Sequence, residues 1–276
     1  MFVLHGLSDF LRFVLYFIVG YRKKVVFANL RNSFPYKSEQ EIKTIAWKFY
    51  RNLCDIIIES FKSFTIGERE LRKRYDIVVT DRINAYLRSN KGIIAMGGHM
   101  ANWEWGVLSC SLYISHKCIG IYKPIKNRYI ENFMKKKRAR FGIYLESIRN
   151  TRAIFEKYKE DNAVYLMLSD QSPGSPSKAH WTQFLSQDSA MLMGAEKYAK
   201  YNNYPVVYFN VIRKRRSHYQ MTIEVLEPKP LETSTGEITE KYTKKLEADI
   251  VERPDQWLWS HKRWKHKRTE KVGNES

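Results

Sequence analysis

Two short apolar runs constrain this fold more than any other feature: Gly92-Ile93-Ile94-Ala95-Met96 and Ala163-Val164-Tyr165-Leu166-Met167-Leu168. Both are brief for helices and bounded by glycine or turn-forming residues, so each reads as a strand buried inside a sheet. Helical stripes fall between the strand-like segments. Ser38-Glu39-Gln40-Glu41 has the form of a capping box and opens a long helix striped by Ile42, Ile45, Phe49, Leu53, Ile56 and Ile57. Ile77-Val78-Val79 predicts a short strand, Asp81 to Ser89 a helix, and Ile119 to Tyr122 a further strand. Asn127 can cap a helix with Ile130, Phe133, Met134 and Phe141 on one face. Val206 to Ile212 and the alternating Tyr219, Met221, Ile223 and Val225 predict a hairpin, and a helix follows from about Ile238 to Glu252, stopped by Pro254. This alternation of strand and helix predicts an α/β fold class. At 276 residues, 43% of them hydrophobic, the chain can bury a substantial core, as one large domain or a core with an added helical subdomain.

The chemistry-bearing stretch directly follows the first buried strand: Gly97-Gly98-His99-Met100-Ala101-Asn102-Trp103-Glu104. The glycines break the strand, and Trp105, Leu108 and Leu112 recur at helical spacing, which places His99 in a strand-to-helix turn and Glu104 about one turn into the helix. From outside the first turn the His99 ring can fold back towards the Glu104 carboxylate. A carboxylate beside imidazole fixes its tautomer and stabilises the imidazolium formed when the ring takes a proton. The helix N-terminus opposes protonation and Glu104 favours it, so the expectation is a base usable near neutral pH. The spacing alone carries little weight, because 7 His and 29 acidic residues give about 0.7 such pairs by chance. A helix-capping His with a Glu in the first turn accounts for the same residues.

The net charge of +19 points to a polyanionic partner: nucleic acid, an anionic membrane surface, an acidic carrier protein or a phosphorylated lipid. Cys54, Cys110 and Cys118 form neither a disulfide framework nor a metal-ligand cluster and read as reduced core residues. Phe2 to Val19 is strongly apolar, yet its uninterrupted part, Phe13 to Val19, is too short to span a bilayer. It lacks a basic leader and a small-residue cleavage site, so no secretory signal is expected. The Tyr21-Arg22-Lys23-Lys24 collar that follows suits a segment lying in the cytoplasmic leaflet, an ordinary first core helix being the alternative.

Two further sites stay open on the residues alone. Asp170, at the end of the second buried strand, is placed either to contact a ligand or to cap the following turn. In the Lys135-Lys136-Lys137-Arg138 run, Lys137 lies nearer the centre of the apolar stripe and Arg138 on its flank, so helical geometry does not choose between them.

Taken together, the motifs resemble the bacterial lipid A biosynthesis late acyltransferases, the lauroyl and myristoyl acyltransferases, which are related to the wider glycerolipid acyltransferase group. Tyr21 to Val26 with Asn29-Leu30 and Ser33-Phe34-Pro35 resembles that family's N-terminal segment. Gly98-His99 through Glu104 resembles its His-x4-acid motif, Asp170-Gln171 its strand end, and Pro254-Asp255-Gln256-Trp257-Leu258-Trp259 with His261 to Trp264 its C-terminal signature. The ordered set is far more specific than the His motif alone. Where the family usually has Phe-Phe-Gly after the Asp-Gln strand, this chain has Phe184-Leu185-Ser186, and its apolar N-terminal segment is shorter.

The resemblance implies a glycerolipid-acyltransferase-like central mixed sheet flanked by helices, with a membrane-associating segment at 1–24 and an acyltransferase domain at 25–276. It implies His99 and Glu104 as the catalytic pair and Arg138 and Asp170 as substrate-binding residues. The implied reaction moves a fatty acyl chain from an acyl carrier protein thioester to a hydroxyl of a lipid A precursor, without metal or redox cofactor. The implied location is the cytoplasmic face of the inner membrane, where the acidic carrier protein, the anionic membrane and the phosphorylated acceptor give the basic charge a use. The same chemistry on another glycolipid or an aminolipid is the nearest alternative. A nucleic-acid-binding role, open on charge and 14% aromatic content, has no recognition motif behind it and is not expected.

Overall fold

The computed structural model describes residues 1–89 and 92–268. Its strands are β1 Tyr75–Val78, β2 Gly92–Gly97, β3 Lys117–Tyr122, β4 Tyr144–Ser147, β5 Ala163–Leu168, β6 His180–Phe184, β7 Gln187–Met191, β8 Val206–Arg215 and β9 His218–Glu227. Seven of them form one sheet in the order β1-β9-β8-β2-β5-β3-β4, while β6 and β7 pair as a separate hairpin. Every neighbouring pair in the large sheet is parallel except β8 with β9, the arms of the predicted hairpin. The sheet is therefore mixed, with β9 and β1 running against the other five.

The two apolar runs lie at its centre. Every residue of β2 is buried, as are the first five of β5, because helices cover the sheet and leave these strands no solvated face.

The helices are α1 Phe2–Phe13, α2 Lys23–Ser33, α3 Glu39–Lys62, α4 Glu68–Arg74, α5 Asp81–Arg88, α6 Trp103–Tyr113, α7 Arg128–Arg138, α8 Thr151–Lys157, α9 Gly194–Asn202 and α10 Glu237–Glu252. The capping box is present at Ser38 and Glu41, and Asn127 caps α7 as expected. All three cysteines are free and buried.

The N-terminal segment is bent. Helix α1 continues through a π-helical turn, Val14–Ile18, and then meets α2 at 88°. Gly20 (φ +61) and Arg22 (φ 50) make the corner in left-handed backbone. No single helix among the described residues is long and apolar enough to cross a membrane; α1 with its π turn and α2 reach that composition only together. One face of α1 and its π turn is held to α3 through Ser8 Oγ donating to Asp55 (2.5 Å) and through Tyr16 against Trp47 and Tyr50. Its other face leaves Phe2, Phe10, Phe13 and Phe17 exposed.

Candidate active site

Strand register builds the site. Strands β2 and β5 are parallel neighbours with Gly97 opposite Leu168, and the Ser169 N–H extends the ladder to the Gly97 carbonyl at 3.1 Å. His99 and Asp170 each lie two residues beyond those paired ends, so the sheet brings together groups 71 residues apart. Close approach requires the glycines. A Cβ on Gly97 would lie 2.3 Å from the Phe209 ring, and one on Gly98 would lie 2.6 Å from Leu246 Cδ1.

Asp170 accepts three hydrogen bonds: from His99 Nδ1 at 2.6 Å, from the His99 backbone N–H at 2.9 Å and from Trp257 Nε1 at 2.8 Å. Burial alone would raise its carboxyl, but the His99 charge and these donors outweigh burial and hold it down at about 2. Burial likewise opposes protonation of His99, yet the Asp170 charge and hydrogen bond, with a smaller contribution from the Glu104 charge, raise the imidazole above its ordinary value. An ionised Asp170 fixes the neutral ring as the Nδ1–H tautomer and leaves the Nε2 lone pair free to take a proton. The Gln171 amide nitrogen lies 3.2 Å from Nε2.

The ring partner therefore differs from the one expected. Glu104, anticipated beside His99, instead receives both Nε (2.9 Å) and Nη2 (2.7 Å) of Arg138. Glu104 is the second residue of α6, and its carboxylate is claimed by the guanidinium at the end of α7, a bidentate geometry that imidazole cannot match. The choice left open in the basic run is also resolved. Arg138 reaches the site, whereas Lys137 extends to the Phe64 carbonyl at 3.4 Å.

His99, Glu104 and Arg138 line a cavity of about 240 Å³. Trp103 and Lys123 also line it, and Val107, Ile121, Leu145, Leu166 and Phe209 give it apolar walls. Such a shape accepts an amphiphile: a polar reacting group beside the imidazole and a hydrocarbon tail inside. Among the described residues, no group of three or more His, Cys, Asp or Glu side chains could hold a metal ion.

The loop carrying His99 is braced by the C-terminal signature and by Glu59 of α3, which the sequence reading did not single out. Ala101 is held at φ +43 and donates its N–H to the Gln256 carbonyl (2.8 Å), while Met100 bridges to Trp257, so the C-terminal signature clamps the turn. Asn102 caps α6 by accepting the Trp105 N–H at 2.9 Å and donates to Glu59 of α3 at 2.6 Å. Glu59 also accepts from Ser217 and Tyr219, but at 2% exposure burial prevails and raises its carboxyl. A signal for Glu59 does exist in the sequence. It sits three residues after Ile56, a carboxylate on the buried stripe of α3.

Residues 3–266 match the family described as bacterial lipid A biosynthesis acyltransferase. Similar proteins include the lipid A biosynthesis palmitoleoyltransferase of Escherichia coli, 23% identical over 92% of this chain and 81% of that one. The lipid A biosynthesis lauroyltransferase of the same organism is 22% identical over 88% of this chain and 79% of its own length. A lipid A biosynthesis acyltransferase of Haemophilus influenzae is 20% identical over 84% of this chain and 72% of its own. With the family match running almost end to end over a mixed sheet that presents a histidine at an amphiphile-shaped cavity, this chain belongs to the bacterial lipid A biosynthesis acyltransferases and is an acyltransferase enzyme.

Proposed function

We propose that the enzyme transfers a fatty acyl group from an acyl carrier protein thioester to a hydroxyl of a phosphorylated lipid A precursor, at the cytoplasmic face of the inner membrane. The observation that carries this reading is the orientation of His99. With Nδ1–H on Asp170, Nε2 is the basic nitrogen of a histidine that lines a cavity with apolar walls.

The acceptor hydroxyl replaces the Gln171 amide at Nε2 and gives its proton to the ring as its oxygen attacks the thioester carbonyl. The Arg138 guanidinium, anchored by Glu104, stabilises the tetrahedral oxyanion, a type of contribution worth about 3 kcal/mol per donor. Collapse breaks the C–S bond, and the leaving thiolate recovers the proton from His99. Asp170 remains ionised throughout and stabilises the transient imidazolium. Among the described residues, no Ser or Cys side chain is hydrogen-bonded to His99, which favours direct transfer over an acyl-enzyme. Exposed Phe10, Phe13 and Phe17 beside the Arg22 to Lys24 collar suit an anionic bilayer surface, and the +19 charge favours an acidic donor protein.

The test is incubation of the purified enzyme with acyl-loaded carrier protein and a tetra-acylated precursor, followed by mass spectrometry. Gain of one acyl mass, absent with His99→Ala, is the expected result. Acylation of a total lipid extract but not of this precursor would keep the chemistry and move the acceptor to another glycolipid or aminolipid.

A further inference from the structure

The cavity containing His99 accommodates an acyl chain, but the reaction joins two substrates. A second cavity, of about 320 Å³, lies against the same wall, since Trp103 and Glu104 line both. Its other lining includes Arg22 from the α1–α2 corner, Leu53 and Ile56 of α3, and His261 of the C-terminal signature.

The polar groups there suit an anion. Arg22 is exposed and donates Nη1 to the Ser260 carbonyl at 2.8 Å, and no carboxylate among the described residues is paired with it. Glu104, the acid on this wall, is already neutralised by Arg138. His261 accepts the Ser172 N–H at Nε2 (3.2 Å), so its neutral form carries the proton on Nδ1 and offers a donor; burial lowers its tendency to ionise. A guanidinium with spare donors matches a phosphate better than a neutral sugar.

Depth points the same way. Arg22 lies three residues after the exposed Phe17, Ile18 and Val19, in the 88° corner itself. A lipid with its chains level with those three side chains carries its headgroup phosphate at the level of the basic collar. Trp103 separates this cavity from the imidazole, with the His99 and Trp103 rings 5.1 Å apart.

We infer that the second cavity is the acceptor site, taking the phosphorylated sugar headgroup of a glycolipid with Arg22 on its phosphate and its hydroxyl-bearing end reaching His99 past Trp103. The inference rests on the acyl-transfer reading above and adds the position and chemistry of the second substrate.

The test compares native enzyme, Arg22→Gln and Arg22→Lys in neutral detergent micelles, using the precursor and its phosphatase-treated counterpart as acceptors. For the phosphorylated acceptor, Arg22→Gln is expected to raise KM about 10-fold or more with the carrier-protein KM unchanged, and Arg22→Lys to fall between. For the dephosphorylated acceptor the native KM is already high, and Arg22→Gln adds less than about two-fold. Equal loss on both acceptors would show that Arg22 only braces the Ser260 carbonyl and would overturn the proposal. So would a loss seen on anionic vesicles but not in neutral micelles, which would assign Arg22 to general membrane attraction. If native enzyme acylates neither acceptor, calorimetry with the soluble bisphosphorylated glucosamine disaccharide separates the two ideas. Binding lost in Arg22→Gln supports this site while the reaction reading fails; no binding to native protein overturns the site itself.

Discussion

Replacing Asp170 by Asn alters little in volume but reverses one hydrogen bond at the centre of the site. Asp170 Oδ2 accepts both the His99 backbone N–H and the Trp257 indole, so an Asn that keeps its oxygen there satisfies both and turns its NH2 towards His99 Nδ1. Imidazole meets that donor by moving its own proton to Nε2, and the basic lone pair then points away from the acceptor hydroxyl. A wrong tautomer in an otherwise intact site costs roughly 10³–10⁴-fold in kcat, or about 4–5.5 kcal/mol of barrier, where the same arrangement has been broken in serine hydrolases. Stability changes less. Depression of the Asp170 carboxyl to about 2 corresponds to about 2 kcal/mol of preference for the ionised group, so Tm is expected to drop by roughly 4–8 °C. The assay is single-turnover acyl transfer at saturating donor, with a melting curve on the same sample. A variant that keeps more than a tenth of native kcat, with a near-native melt, would refute Asp170 as the group that orients His99.

Glu104→Gln leaves that tautomer intact and weakens only the seat of Arg138, so its kcat is expected to fall by about 10–100-fold, clearly less than for Asp170→Asn; the reverse ranking in the same assay would restore Glu104 as the ring partner. His99 must be neutral to act, and its ionisation is raised, so log(kcat/KM) should fall as pH drops through a value above about 6.5, with the break at lower pH in any residual Asp170→Asn activity. An acid limb breaking below 6 in native enzyme would contradict this. Because the folded Asp170 carboxyl is depressed, its stabilising contribution is present above about 4 and is lost as pH falls towards about 2, which acid denaturation of native and Asp170→Asn protein can compare. Asn102→Ala removes the α6 cap and leaves a donor to Glu59 missing, at about 1–3 kcal/mol of stability by urea titration. Vesicle flotation should show Phe10→Ser with Phe17→Ser reducing association with anionic liposomes, without changing the melt by more than a few degrees.

What was legible in the sequence was whatever local periodicity controls. The strand Gly92–Gly97, the capped α3, the β8–β9 hairpin and the polar ends at His99 and Asp170 all follow from patterns contiguous in the chain. Half-exposed elements escaped notice: β4 carries Glu146 and Ser147, and the β6–β7 hairpin is largely polar, so neither shows an apolar run. The pairing at the site escaped for a different reason. His99 and Glu104 are near in sequence, and the proximity suggested a contact, but carboxylate and imidazole each found a better partner across the fold. Only the β2–β5 register places Asp170 at Nδ1, and register between strands 71 residues apart has no local signature.

That register also governs the order in which the protein can assemble. Strand β5 leaves the ribosome after β2, β3 and β4, yet its place is between β2 and β3. Until residues 163–168 are available, the facing edges of β2 and β3 have only each other or water to pair with, and a direct β2–β3 ladder is a ready trap. His99 has no carboxylate at its ring until that gap closes. Recovery of activity on refolding should therefore lag helix formation and coincide with the insertion of β5 between β2 and β3, making turnover a kinetic probe of that one step in sheet assembly.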